Sequence, residues 1–186
     1  MDPLSLIQWV VASRLGQDPI FQVLSVGEEP MTGKIPVVTE HIGDIESAIQ
    51  RAISQIGICV IVLTATAGME FQDALDPYLK IDITVAVQEQ VTLNRGPTGT
   101  GFNAIQVACV VAALLHNWTP PVYDAQNTKI GASSIIGKTN DFINLIPDNQ
   151  GKGLLMYNVE FETRAGISYP PAGYQLNAFP IIPQSI

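Results

Sequence analysis

Residues 79–118 read LKIDITVAVQEQVTLNRGPTGTGFNAIQVACVVAALLHNW, and the fold turns on how this stretch is read. Leu79, Ile81, Ile83, Val85, Val87, Val91 and Leu93 hold one phase of a two-residue period, and Lys80, Asp82, Thr84, Gln88 and Gln90 hold the other. The alternation predicts one long, half-buried antiparallel strand over 79–93. Gly96, Pro97, Gly99 and Gly101 then predict a loop. Beyond it, Ile105, Ala108, Val111, Ala112 and Leu115 recur at helical spacing within 102–117.

Upstream, Asp2 and Pro3 suit the start of a helix that carries Leu4, Ile7, Val10 and Val11 on one face. Phe21, Val23, Leu24 and Val26 suggest a short strand, and residues 35–39 another. Asp44 is placed to cap a helix with Ile45, Ala48, Ile49, Ala52, Ile53 and Ile56 on one stripe, and Gly57 to end it. Residues 58–63 form a continuous run of mostly β-branched residues, the pattern of a strand buried on both faces. Residues 64–77 read as a small and acidic loop. Downstream, Ile135 and Ile136 suggest a short strand, residues 148–153 the turn of a hairpin, and Leu155, Tyr157, Val159 and Phe161 the apolar face of its returning strand. From Ala165 the chain becomes apolar and proline-punctuated, without helical or strand period.

These elements predict an α+β fold: a mainly antiparallel sheet with two to three helices packed on it, a projecting long strand or hairpin arm, and an extended C-terminal tail. The domain organisation is read as a single domain over 1–165 and an arm over 166–186. Hydrophobic residues make up 47% of the 186 and charged residues only 14%, so part of the surface is expected to be covered by partners. The net charge of −8 argues against a nucleic-acid clamp, which needs clustered Lys and Arg. It permits a surface past which DNA slides. With neither a leader-like N-terminus nor an apolar run long enough to span a bilayer, the chain reads as soluble and made in a reducing cytoplasm. Cys59 and Cys109 both read as free thiols in the core.

No catalytic, cofactor or metal set emerges. Residues 132–139, ending in Gly137, Lys138 and Thr139, satisfy a relaxed phosphate-loop pattern, but the buried strand before and the helix after that such a loop needs are missing. The glycines of 96–101 lack a lysine and the dinucleotide spacing, so they read as turn residues. His41 and His116 have no partner at ligand spacing, and His116 reads as a partly charged complement to a helix end.

Length points to assembly. Fifteen extended residues would span ~50 Å against ~40 Å for a compact domain of this size. A strand end projecting at Glu89, Val91 and Leu93, followed by Asn94, Arg95, Pro97 and Thr98, would need another subunit, as would Tyr174, Phe179 and Ile182 in the tail. Arg95 is the expected interfacial ion-pair donor. The alternative is a monomer whose strand kinks near 88–90 and whose tail folds back on its own core.

The order of these elements over residues 40–165 resembles the small tail-terminator or tail-completion proteins of long-tailed bacteriophages. The residues that carry the resemblance are Leu93, Asn94, Arg95, Gly96, Pro97, Thr98, Gly99, Thr100 and Gly101; Leu114, Leu115, His116, Asn117 and Trp118; and Tyr157, Asn158, Val159, Glu160 and Phe161. The resemblance implies a structural virion protein located at the tail and neck and assembled in the host cytoplasm. It implies a homo-oligomeric ring, commonly a hexamer, that caps the tail tube at its head-proximal end and joins it to the neck or connector proteins. Genomic DNA would pass through the lumen without specific binding, and no membrane is involved. Two other readings stay open: a different small homo-oligomeric binding or adaptor module, and a nucleotide-binding enzyme using Lys138 and Thr139.

Overall fold

A computed structural model describes residues 3–40, 43–71, 77–120, 133–138, 142–146 and 153–166. His41, Thr139, Tyr174, Phe179 and Ile182 lie outside the described residues, as does all of the tail beyond Gly166. In chain order the elements are α1 (Pro3–Gly16), β1 (Phe21–Val23), β2 (Ile35–Thr39), α2 (Ile45–Gln55), β3 (Ile58–Phe71), β4 (Pro77–Gln90), the single turn α3 (Val91–Asn94), α4 (Ala104–Leu115), β5 (Ile136–Gly137), β6 (Ile143–Ile146) and β7 (Leu154–Gly166). The fold is α+β. Its seven strands among the described residues form one sheet ordered β1-β2-β3-β4-β7-β5, with β6 also paired to β7. β1, β2 and β3 run parallel, and every other pairing is antiparallel.

β4 is the centre of this sheet, bonded along its length to β3 on one side and β7 on the other. Its alternation divides the molecule. Ile81, Ile83, Val85 and Val87 face a core closed by Ile7, Val11 and Leu15 of α1 and Val107, Val111 and Leu115 of α4. The opposite face is covered near Ala86 by α2, through Ala52 and Ile53 against Cys59 and Ile61. The first half of β3 is therefore buried from both sides, as its unbroken apolar run requires. Further along, the α2-side face is open and carries two ion pairs, Lys138–Asp82 at 2.8 Å and Lys80–Glu162 at 3.4 Å.

The structure corrects four expectations. The strand expected over 79–93 stops at Gln90, and Val91 and Leu93 belong to a helical turn, so their apparent strand phase is accidental. Residues 64–71, expected as loop, extend β3. Thirteen register pairs with β4 outweigh the poor strand propensity of Ala65, Ala67 and Gly68, and a bulge between Thr66 and Gly68 absorbs the one residue that does not fit. Glu89, expected on a projecting strand end, is buried instead, and among the described residues an unpaired edge lies on residues 63–71 of β3, towards the opposite end of β4. Cys109, expected in the core, is exposed, because α4 is apolar on all sides while only one side packs. His116 stands at the C-terminal end of α4, where its Nδ1 accepts the Gly137 N–H at 3.1 Å.

The two thiols should then behave differently. Cys59 is fully buried, and desolvation pushes its pKa up to about 12. A maleimide reagent is expected to take one equivalent at Cys109 in the folded chain and a second only on denaturation. Peptide mapping would identify the labelled residue.

α2 begins where the sequence places it. The Asp44 carboxylate accepts the Ser47 hydroxyl at 2.6 Å and the Ser47 N–H at 3.0 Å, and these bonds, the hydroxyl first, hold its carboxyl below the usual aspartate range. A depressed folded-state pKa adds stability that is fully present above the ordinary value of ~3.9 and is lost as pH falls through the folded value. Asp44→Ala is expected to be less stable than the parent at neutral pH and to converge with it in strong acid. Urea midpoints measured across the acid range would check this.

Candidate interaction surface

The loop after β4 is built on one buried side chain. Asn94, only 4% exposed, donates from Nδ2 to Glu89 Oε1 at 2.8 Å and to the Phe102 carbonyl at 2.6 Å. Its Oδ1 accepts the Thr100 N–H and the Thr100 hydroxyl, both at 3.2 Å. Both amide hydrogens and both oxygen lone pairs are thus in use. Glu89, 1% exposed, continues the latch: its Oε2 accepts the Ala104 N–H at 2.7 Å, placing a carboxylate at the N-terminus of α4. Next to it, Asn103 and Gln106 form a reciprocal capping box.

Two glycines let the backbone close on this latch. A Cβ at Gly99 would lie 1.6 Å from the Asn94 carbonyl oxygen, and one at Gly57 would lie 2.2 Å from the Asn94 nitrogen. Gly57 also holds φ +87°, and its carbonyl accepts the Gln90 N–H at 2.7 Å where the strand ends. The loop is consequently a preorganised part of the fold.

Its outward side differs from its inside. Val91 is half-buried, while Leu93, Arg95, Pro97 and Thr98 are exposed, together with Phe102 and Ile105. Leu155, which pairs with Glu89 across the sheet, adds a further exposed apolar side chain at this end. Arg95 is unusual. Arg14 stacks over Trp118, Lys34 donates to the Pro19 carbonyl, and Arg51, Lys80 and Lys138 each have a carboxylate. Among the described residues, the Arg95 side chain has no hydrogen bond, ion pair or ring contact. The site residues expected from sequence thus divide: Glu89 and Asn94 hold the loop from within, and Leu93, Arg95, Pro97 and Thr98 form its accessible surface.

The phosphate-loop pattern is arranged differently. Gly137 belongs to β5 and spends its N–H on His116, while the Lys138 N–H donates to the Glu160 carbonyl at 3.0 Å. The Lys138 ammonium is paired with Asp82. Backbone groups that would cradle a phosphate are therefore already in use. Among the described residues, no three His, Cys, Asp or Glu side chains gather as metal donors, and no helix is long and apolar enough to cross a membrane.

At the other end of β4, residues 63–71 of β3 extend beyond the last register pair with β2, Thr39↔Val62. Among the described residues they have β4 on one side and no strand on the other. Met69 is 54% exposed there, and Leu63 lies exposed at its base. The sequence reading missed this arm because alternation fails across Ala65, Ala67 and Gly68. It also passed over Glu89 as a buried group, although the phase of Ile81, Ile83, Val85 and Val87 places position 89 on the core side.

No family model matches the chain, and no curated protein matches it.

Proposed function

We propose that this chain is a structural virion subunit of a long-tailed phage, forming a ring at the head-proximal end of the tail tube that ends tube growth and joins the tail to the neck. The observation that carries the reading is a single sheet with two unlike exposed ends: a latched loop bearing Leu93, Arg95 and Phe102, and a hairpin bearing Met69 with an open strand edge. Exposed apolar side chains and free strand edges mark surfaces that other subunits cover. The resemblance over residues 40–165 supplies the class of assembly, commonly a hexamer, and its neighbours, the tube protein and the connector. A net charge of −8 suits a passage for DNA, since a basic lumen would hold phosphates.

The test is to add the purified chain to growing tubes of the tail tube protein from the same phage. Tubes should stop lengthening and carry ring density at one end. Unchanged growth with bare ends would contradict the proposal.

A further inference from the structure

We propose that the open stretch of the α2-side sheet face carries a binding site for a small phosphate monoester, with Lys80 and Arg164 as its phosphate-binding groups. A cavity of about 360 Å³ opens there, and Lys80, Arg164, Ser133, Ser134, Ile136 and Glu162 are among its lining. None of these residues belongs to the loop or the strand edge on which the ring reading rests, so the two readings stand or fall separately.

Strand register builds the site. Lys80 of β4 and Arg164 of β7 are direct cross-strand partners, and so are Asp82 and Glu162. Both pairs join like charges whose side chains leave the sheet ~5 Å apart, an arrangement that destabilises a sheet. Salt bridges run diagonally across them: Lys138 reaches Asp82 at 2.8 Å, and Glu162 reaches Lys80 at 3.4 Å. At the cavity itself two cations, Lys80 and Arg164, stand against one carboxylate, Glu162. Its lining is thus net positive in a chain whose overall charge is −8. An ammonium has three donors, of which one faces Glu162, and a guanidinium offers a fork that matches phosphate oxygens.

Two hydroxyls extend the polar wall. Ser133 Oγ accepts the Arg164 N–H at 2.8 Å. Among the described residues, the hydrogen of that hydroxyl finds Thr163 Oγ1 at 3.3 Å and the Ser134 carbonyl at 3.5 Å, both long, so it can turn to a stronger acceptor. The Ser134 hydroxyl is bonded to that of Thr119 at 2.8 Å. Ile136, 39% exposed, adds an apolar side chain. Phosphate fills the space of about three waters at ~30 Å³ each, which leaves room for an organic group against Ile136. Side chains would hold the phosphate here, unlike a phosphate loop, and Lys138 is not one of them.

Calorimetry on the full chain in phosphate-free buffer at fixed ionic strength tests this, with phenyl phosphate as the monoester. Phenyl phosphate is expected to saturate one site per chain and to bind more tightly than inorganic phosphate. Lys80→Ala and Arg164→Gln should each weaken it about tenfold, the loss of one charge-assisted hydrogen bond, with thermal unfolding showing that each chain is folded. Lys34→Ala removes the same charge from a remote surface and should leave binding unchanged. Glu162→Gln should tighten binding, because it removes the competing carboxylate. Ile136→Ser should weaken phenyl phosphate and spare inorganic phosphate. A short DNA without terminal phosphates offers only diesters and should not compete; competition overturns the monoester class. Absence of saturable heat up to ~10 mM phenyl phosphate, or equal binding by the Lys80→Ala and Lys34→Ala variants, overturns the site.

Discussion

Gly99→Ala is expected to cost more than about 3 kcal/mol and to abolish assembly together with loop structure. The backbone at Gly99 is ordinary, so the difficulty is space. The added methyl would lie 1.6 Å from the Asn94 carbonyl oxygen and 2.4 Å from its carbon. Neither atom can retreat, because the Asn94 side chain is held by Glu89, Phe102 and Thr100. Gly101→Ala provides the control. Gly101 has φ +79° with no atom within 4 Å of a built Cβ, so only conformational strain of about 1 kcal/mol applies. Urea denaturation of the two variants should therefore separate them clearly. Equal destabilisation would mean that the loop does not pack on Asn94 as described.

Glu89→Ala is the second large effect, expected at about 4 kcal/mol. The carboxylate accepts two donors in a dry site, Asn94 Nδ2 and the Ala104 N–H, and removing it leaves both without a partner. Each buried donor left unsatisfied costs about 1–3 kcal/mol, to which the lost charge at the N-terminus of α4 adds. Glu89→Gln should cost less, since its single oxygen can keep one donor while its amide opposes the other. Asn94→Ala should be strongly non-additive with Glu89→Ala, because the two remove parts of one network. Chemical denaturation of the four proteins in that cycle measures the coupling, and additive losses would show that the two side chains act independently.

These variants probe the part of the chain that periodicity describes least well. The centre of the sheet was legible: Ile81, Ile83, Val85 and Val87 announce a strand with one buried face, and the run 58–63 announces one buried on both, which holds through Val62 while Leu63 is exposed. α2 was legible to the residue at its start, since an Asp before an amphipathic stripe has a local physical role that needs no tertiary context. Elements that depend on distant partners were not. Residues 64–71 are strand because β4 lies beside them, and nothing in Ala65, Ala67 or Gly68 signals it. Val91 and Leu93 continued the strand phase by coincidence, although the chain had already turned at Gln90 into the helical turn. The exposure of Cys109 follows from which side of an evenly apolar helix meets the sheet, a choice its composition does not encode.

Of the two sticky extensions expected, the C-terminal tail lies outside the described residues, and the strand end at Glu89 is a latched loop, with the open edge of β3 at the other end of the central strand. Both ends expose apolar side chains, Leu93 and Phe102 at the loop and Met69 on β3.

The most direct measurement is negative-stain electron microscopy of the purified full chain together with its mass in solution. Closed rings whose mass is a whole multiple of 20.0 kDa are expected. A single 20.0 kDa species that forms no ring, alone or with the tail tube protein, would contradict the assignment.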